Sequence, residues 1–300
     1  MAKSRKIQLS KTDKIFQIVI LVIVSLIFLS VLYPIIYVIS ASFSSPNAVT
    51  TGRVILWPVD FSLDGYKAVF ENKDVLLGYR NTIFYTVVGT LINVILTLIA
   101  AYPLSRRDFV GRRVLSFVFT FTMIFSGGMI PSYLLMRDLN LLNTIWAVLL
   151  PGALSVYNMQ VTRTFISGNI PYELLEASQI DGCSDAQYFF KFVLPLSKPV
   201  IAVIVLFYAV AHWNAYFNAF LYLNDRELYP LQLFLREILI NNKIDTTVTD
   251  IDIELLEAKQ GLADLLKYSL IIVSSLPIMC LYPFIQKYFI KGIMIGSVKG

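Results

Sequence analysis

Six long runs without charged residues constrain the fold of this chain more than any other feature. Each run has at least 18 residues free of Asp, Glu, Lys and Arg, the length that an α-helix needs to cross the hydrocarbon core of a bilayer. The sequence therefore predicts an all-α, polytopic membrane protein with six transmembrane helices. The runs cover residues 15–41, 82–104, 114–136, 141–162, 199–223 and 268–285.

The first run follows several basic residues, an order that resembles a secretory signal peptide. A signal peptide has an apolar region of roughly 7–15 residues, whereas this run has 27. We therefore interpret residues 1–14 as a cytoplasmic segment and residues 15–300 as the transmembrane domain. The composition is also that of a membrane protein, because only 15% of the residues are charged, whereas soluble domains contain about 25%.

The distribution of Lys and Arg predicts the orientation of the spans, because cytoplasmic loops are enriched in these residues. With the N-terminus inside, the inner segments are residues 1–14, 105–113, 163–198 and 286–300. They contain 15 of the 25 basic residues and carry a net charge of +9, which leaves −4 for the rest. We expect a chain in the cytoplasmic membrane with both termini cytoplasmic, a long outer loop at about 224–264 and a tail at 286–300.

The inner segment at about 167–198 is a polar island that predicts two short helices. Pro171 is suited to the first turn of a helix over residues 172–180, and Gly182 would end that helix by adopting a positive φ. Ser184 and Gln187 have the spacing of a capping box that begins a second helix. We therefore expect a bent two-helix element at the membrane surface.

In the second helix, the spacing of apolar residues predicts a single apolar stripe. Its members are Ala186, Phe189, Phe190 and Val193. An amphipathic pair of this kind, placed between two spans, is suited to docking against another protein.

The residues of this element resemble the signature of the permease subunits of bacterial ABC importers. That signature reads Glu-Ala-Ala, three residues, Gly, nine residues, Ile, one residue and Leu-Pro. Here it begins at Glu176 and ends at Pro195, with Ser178 in place of the second Ala and Phe192 in place of Ile. The resemblance runs along most of the chain and is strongest to the carbohydrate-uptake branch, in the group that includes the shorter maltose-transporter permease.

The resemblance implies a type I ABC importer permease fold and a site that couples the chain to an ATPase. Glu176 has two interpretations, a solvated carboxylate or a contact to the ATPase, and the residues alone do not separate them, whereas the resemblance favours the contact. The tail at 292–300 has two interpretations, a frayed and positively charged end or, by the same resemblance, a segment that reaches into the ATPase dimer. The coupling residues that it implies are Glu176, Ala177, Ser178, Asp181, Gly182, Leu194 and Pro195.

The chain has no motif by which it could supply its own energy. No phosphate-binding loop of the form Gly-x-x-x-x-Gly-Lys-Ser/Thr is present, and no catalytic or metal-ligand pattern occurs. Asp and Glu are absent from the runs, although ion-coupled carriers usually need buried carboxylates. Cys183 and Cys280 are interpreted as unpaired thiols.

The resemblance implies partners that replace these missing parts. ATP and magnesium would be bound by a dimer of ATPase subunits, so we expect no cofactor and no metal in this chain and no catalytic residue. A second homologous permease and an extracytoplasmic solute-binding protein complete the assembly, in a lipid bilayer and without nucleic acid.

The most polar patch within any run follows His212. It consists of Trp213, Asn214, Tyr216 and Asn218, and on a continuous helix the two asparagines would share one face. These side chains could line a substrate pathway, where amides bind sugar hydroxyls, or they could hydrogen-bond neighbouring helices, which is the commoner role of polar residues in membranes. Pro151-Gly152 is the best candidate for a hinge within a span.

The resulting hypothesis is a permease subunit that moves an oligosaccharide into the cell by alternating access. Two alternatives remain open. A membrane-embedded enzyme acting on lipid-linked sugars could use the carboxylates of the outer loop, although these follow no motif. An ABC importer for a solute other than a sugar would have the same coupling element.

Overall fold

The structure is a computed structural model that describes residues 10–241, 261, 263–280 and 283. Among these residues there are α-helices and short turns and no β-strand, so the all-α prediction is confirmed. The helices are α1 (Lys11–Ser42), α2 (Pro46–Thr50), α3 (Asp64–Glu71), α4 (Lys73–Ser105), α5 (Arg112–Ile124), α6 (Met129–Asp138), α7 (Trp146–Leu149), α8 (Val156–Asn169), α9 (Tyr172–Ile180), α10 (Asp185–Tyr188), α11 (Leu194–Leu196), α12 (Lys198–Trp213), α13 (Phe217–Tyr222), α14 (Leu231–Asn241) and α15 (Ala263–Cys280).

The described residues divide into two compact units, one formed by 10–71 with 239–241, 261 and 263–273 and the other by 72–238 with 274–280 and 283. In the first unit, α1 begins at a capping box in which the Ser10 hydroxyl accepts from the backbone N–H of Asp13 at 3.2 Å. Most of α1 is apolar on all sides and exposed, and only Ser40, Ala41 and Ser42 are buried. A helix that is apolar all round needs lipid or other helices as its surroundings.

The second unit is built around α4. Val94 and Leu98 of α4 pack in one apolar cluster with Val200 and Ile204 of α12. In the same region the hydroxyl groups of Thr97 and Tyr208 lie 2.7 Å apart. Apolar packing and hydrogen bonding therefore hold α4 and α12 together.

Two close contacts extend this packing. The Tyr208 hydroxyl also accepts from the backbone N–H of Ser155 at 3.1 Å, which attaches the start of α8. A Cβ at Gly89 would lie 2.5 Å from the ring of His212. Because no side chain fits at Gly89, the backbone of α4 approaches α12 closely at this point.

Three described helices, α1, α4 and α15, are long and apolar enough to cross a membrane by length and composition. Two bent helix pairs also qualify, α5 with α6 at an angle of 113° and Asp185–Leu196 with α12 at 78°. The described residues therefore contain three to five candidate spans, and the count of six stays a prediction.

The fourth run, residues 141–162, was expected to be one helix, and this is wrong. It contains α7 and the first part of α8, separated by turns. Gly152 adopts φ +78° between the two helices, and Pro151 cannot donate a helical hydrogen bond. The predicted hinge is therefore a break between helices and not a bend within one.

The fifth run also differs from a continuous helix, whereas the described part of the sixth run is one helix. The chain leaves the helix after Trp213 and resumes at Phe217, which interrupts the fifth run. The last described helix, α15, begins before the sixth run and is described as far as Cys280. The predicted tail at 286–300 lies outside the described residues, as do residues 242–260 of the predicted outer loop.

Candidate coupling site

Helix α9 forms over the predicted residues because local signals define both of its ends. Pro171 is the N-cap, with φ −61°, and Asp181 is the C-cap. Leu175 and Ser178 are buried at 3% and 4% exposure, and the Ser178 hydroxyl donates to the carbonyl of Leu175 at 2.7 Å. The small side chain of Ser178 therefore lets α9 pack closely against the rest of the unit.

The turn after α9 is a Schellman motif centred on Gly182. The backbone N–H of Gly182 donates to the carbonyl of Gln179 at 3.0 Å, and that of Cys183 donates to the carbonyl of Ser178 at 2.9 Å. Gly182 has φ +74°, a conformation that glycine adopts without steric cost. The predicted glycine turn is confirmed in its position and in its backbone conformation.

The second helix of the element begins at the predicted capping box. The Ser184 hydroxyl accepts from the backbone N–H of Gln187 at 3.3 Å, and the Gln187 side chain accepts from the backbone N–H of Ser184 at 3.1 Å. The helix continues through a π-helical turn (Phe189–Val193) into α11. Leu194 is partly buried and Pro195 is exposed.

The predicted apolar stripe of this helix is partly wrong. Ala186 and Phe190 are exposed, whereas Tyr188 and Val193 are 4% and 1% exposed and belong to one apolar cluster. Tyr188 and Val193 are five residues apart, which is the spacing of a π-helix. The π-helical turn therefore changes the buried face that a 3.6-residue period predicts.

The exposed face of the element combines charge with apolar surface. Glu176 and Ala177 are exposed on α9, and Ile180 at its end is 86% exposed. On the second helix Phe190 is 65% exposed. These four side chains are therefore available at the surface of the element.

Arg106, directly after α4, connects the end of this helix to α10 in the two-helix element at residues 167–198, which we call the coupling element after its predicted role. Its side chain is 13% exposed, and its guanidinium forms ion pairs with Asp108 and Asp185. It also donates to the Tyr102 hydroxyl at 3.2 Å. We call Tyr102, Arg106, Asp108 and Asp185 the arginine clamp. Hydrogen bonds from Arg106 hold the pKa of the Asp108 carboxyl below its ordinary value, so this carboxylate stays ionised at neutral pH.

A cavity of about 1040 Å³ opens between the C-terminal ends of α4 and α8 and the helix α9. Its lining mixes apolar residues such as Phe165 and Ile170 with polar and charged ones, which include Arg107, Arg112, Asn169 and Glu173. Arg107 also lies over the ring of Tyr172, with 5.8 Å between the guanidinium carbon and the ring centroid. The contact between Arg107 and Tyr172 therefore holds the start of α9 beside this cavity.

The sequence model of the family described as "Binding-protein-dependent transport system inner membrane component" matches residues 93–295, which include the coupling element. The chain belongs to this family. It is an ABC transporter permease and a multi-pass membrane protein. Because the family is one of non-catalytic subunits, the expectation that this chain is not itself an enzyme is supported at the level of the family.

Two relatives from Bacillus subtilis (strain 168) resemble the permease over most of its length. The polygalacturonan/rhamnogalacturonan transport system permease protein YtcP is 43% identical over 89% of this chain and 92% of its own. Protein LplC is 39% identical over the full length of both chains. A crystal structure of a bacterial ABC transporter involved in the import of the acidic polysaccharide alginate contains a chain that is 37% identical. The structural match between the two chains covers 95% of this permease and 100% of the other chain, with a TM-score of 0.84.

The four pathway candidates of the permease fall into two groups. Trp213 is 5% exposed, and its indole N–H donates to the carbonyl of Ser274 on α15 at 2.8 Å, so this side chain has a packing role. Asn214 and Tyr216 are exposed and Asn218 is partly buried. The prediction that the two asparagines share one helix face is wrong, because the chain is not helical between α12 and α13.

Three features of the permease were not identified from the sequence as site residues. The first is Arg106, which the charge pattern placed after a span without indicating its partners. The second is Arg236 on α14, which lies over the rings of Phe220 and Tyr216. The third is a polar face on α4 that binds backbone groups of residues 227–231. Local spacing could not indicate contacts between residues this far apart in the chain.

Proposed function

We propose that this permease is one of two homologous membrane subunits of an importer that moves an oligosaccharide into the cell. A dimer of ATPase subunits binds ATP and magnesium and supplies the energy, and a solute-binding protein delivers the substrate from outside. The permease itself holds no cofactor, and both of its termini are cytoplasmic. The oligosaccharide class is supported by the name of a 43% identical relative, a polygalacturonan/rhamnogalacturonan transport permease.

The observation that carries this proposal is the exposed face of the two-helix element. Glu176 and Ala177 are exposed on the side of α9 opposite to the buried Leu175 and Ser178. A carboxylate on an exposed helix can accept charge-assisted hydrogen bonds from Arg or Lys of an ATPase. Ile180 adds apolar area to the same face. The positive φ of Gly182 forms the turn after α9, and the buried Ser178 lets α9 pack closely. The remaining residues of the proposed coupling site are Asp181, Leu194 and Pro195.

In the proposed mechanism, closure of the ATPase dimer displaces α9 and α10. The arginine clamp transmits this displacement to α4, because Arg106 is bound to Asp185 at the start of α10. Helix α4 is packed on α12, so movement of the coupling element reaches the helices that surround the pathway. Alternating access then requires two arrangements of this bundle, one open to each side of the membrane.

The coupling assignment predicts that Gly182→Val abolishes stable binding of the ATPase. Valine is strained at a φ of +74° by about 1–3 kcal/mol, and no neighbouring atom lies within 4 Å of the site. Gly111→Val is the matched control, because Gly111 also has a positive φ and open surroundings. Co-purification of the ATPase and substrate-stimulated ATP hydrolysis should fall at least tenfold in the first variant and remain in the second.

Glu176→Ala tests the same surface without strain on the backbone. Removing a charge-assisted bond worth about 1.5–3 kcal/mol should weaken ATPase binding by about tenfold or more. Glu71→Ala, which removes an exposed carboxylate from a segment expected on the outer side, should bind normally. If Glu176→Ala and Gly182→Val both bind the ATPase and hydrolyse ATP like the wild type, the coupling assignment is refuted.

A further inference from the structure

Helix α14 carries a cation that faces two exposed aromatic rings. Leu231, Leu233 and Phe234 of α14 are buried at 0–2% exposure and fix the helix on the second unit. Arg236, three residues after Leu233 on α14, is partly buried and lies over the rings of α13 and the residue before it. The guanidinium carbon is 4.3 Å from the ring centroid of Phe220 and 5.9 Å from that of Tyr216.

Arg236 differs from Arg226, the other arginine near α14. Arg226 forms ion pairs with Asp74 at 2.9 Å and Glu237 at 3.2 Å, so its charge is compensated. Within the part of the chain that the structure describes, no carboxylate lies within ion-pair distance of Arg236. A partly buried cation with no carboxylate partner among the described residues is suited to bind an anionic ligand.

The geometry of this group suits a sugar acid. A guanidinium that lies over a ring, as that of Arg236 lies over Phe220, can direct the N–H groups at its edge to a planar carboxylate, which arginine binds through two parallel hydrogen bonds. Phe220 and Tyr216 are 50% and 42% exposed, so their rings are accessible to the apolar faces of pyranose units. Asn218 lies on α13 between these two aromatic residues in the sequence and adds an amide.

We propose that Arg236, Tyr216 and Phe220 form a binding subsite for the carboxylate-bearing units of an acidic oligosaccharide at the outer entrance of the pathway. This inference rests on the proposed importer function and specifies its substrate. The predicted spans contain no Lys or Arg, and His212 is the one residue in them that can carry a positive charge, so the spans alone favour a neutral substrate. Arg236, in the predicted outer loop, supplies a positive charge outside the spans. The transporter whose crystal structure contains a 37% identical chain is involved in the import of the acidic polysaccharide alginate, which agrees with an acidic substrate.

The test uses the complete transporter in proteoliposomes with a saturating amount of loaded binding protein. The probes are a linear trigalacturonate and its fully methyl-esterified form, which keeps the sugar skeleton and lacks the negative charges. Arg236→Gln should lower the uptake rate of the trigalacturonate by about tenfold, equivalent to about 1.4 kcal/mol, and leave uptake of the ester within about twofold. Arg236→Lys should retain most of the acid uptake, because it preserves the charge.

Arg137→Gln is the matched control, since Arg137 is exposed, is expected on the same side of the membrane and pairs only with its neighbour Asp138 among the described residues. Its uptake of both probes should equal that of the wild type. An equal fall for acid and ester in Arg236→Gln would assign Arg236 a packing role and overturn the subsite, while the importer function would stand. If the wild type imports neither of these probes nor neutral oligosaccharides, the proposed function itself is refuted, and the subsite with it.

Discussion

The two ends of α4 are attached to the second unit by different kinds of contact. At the N-terminal end, an exposed ion pair joins Asp74 to Arg226, and in addition side chains of α4 bind backbone groups of residues 227–231. Asn81 donates to the carbonyl groups of Glu227 and Tyr229 at 2.6 and 3.0 Å, and Tyr85 donates to the carbonyl of Leu228 at 2.8 Å. Both side chains are buried, so this end is fixed by hydrogen bonds that are protected from water.

At the C-terminal end, the main polar attachment of α4 is the arginine clamp. Its two carboxylates are much more exposed than its guanidinium, at 40% for Asp108 and 69% for Asp185. Solvent-exposed ion pairs contribute little to stability, typically below about 1 kcal/mol. The cavity of about 1040 Å³ next to α9 also leaves space on this side.

This difference suggests a division of roles along one helix. Contacts to the backbone at the N-terminal end do not change partner without displacing a whole segment, whereas ion pairs at the C-terminal end can break and reform at low cost. An end that is attached through exchangeable contacts next to open space can follow the movement of a bound ATPase. We call the N-terminal end of α4 the fixed end. Substitutions at the fixed end and in the arginine clamp test this division, and labelling tests on which side of the membrane each end lies.

The largest effect on stability is expected from Gly78→Ala at the fixed end. An added Cβ would lie 2.8 Å from Cδ2 of Phe234 and 2.9 Å from Cα of Leu231, so backbone must move, at a typical cost of about 1–3 kcal/mol. The purified complex should unfold at a clearly lower temperature in a thermal melt. Gly168→Ala is the control, because no atom lies within 4 Å of its Cβ position, and alanine should be neutral or stabilising by up to about 1 kcal/mol. Equal melting temperatures for the two variants would contradict the tight attachment of this end.

Arg106→Gln should uncouple the transporter while the complex stays assembled. The substitution removes both ion pairs of the clamp, and because their carboxylates are exposed we expect a small loss of stability. Import per ATP hydrolysed should fall by about fivefold, since the coupling element then moves without α4. Arg53→Gln, which removes an exposed ion pair with Asp60, should transport normally.

Two further measurements separate coupling from folding in this variant. Asp185→Asn should reproduce part of the defect, because it removes the one ion pair that joins the clamp to α10. Co-purification of the ATPase with Arg106→Gln should equal that of the wild type. Normal transport by Arg106→Gln, or loss of the ATPase from it, would exclude the clamp as the connection between α9, α10 and α4.

The parts of this permease that could be predicted from the sequence are those set by neighbouring residues. The bounds of α9, the positive φ of Gly182 and the capping box at Ser184 follow from local capping preferences, and the structure has all three. The helices α1 and α4 could also be predicted, because each contains a continuous uncharged run of more than 20 residues. Where apolar length was the only signal, as at residues 141–162, the break at Pro151-Gly152 was interpreted as a hinge.

Contacts between distant residues could not be predicted in this way. Arg106 and Asp185 are 79 residues apart in the chain, and a single sequence contains no spacing that connects them. Tyr188 and Val193, at the two ends of the π-helical turn, pack with Ile166 of α8 and Leu175 of α9, and a 3.6-residue period does not select this pair, so the predicted stripe had the wrong members. Arg236 lies in the predicted outer loop, and its contacts with the rings of Tyr216 and Phe220 depend on how the chain folds.

The least perturbing prediction concerns the side of the membrane on which each end of α4 lies. Positive charge near the C-terminal end, in residues 105–113, predicts that this end is cytoplasmic. In a background with Cys183→Ser and Cys280→Ser, Lys73→Cys should react with a membrane-impermeant thiol reagent added to intact cells, and Val110→Cys should react only after the membrane is opened. Both positions are exposed, Val110 at 92%, so transport should remain near the wild-type rate. Labelling of Val110→Cys from outside would place the arginine clamp and α9 away from a cytoplasmic ATPase, and the proposed coupling mechanism would then be excluded.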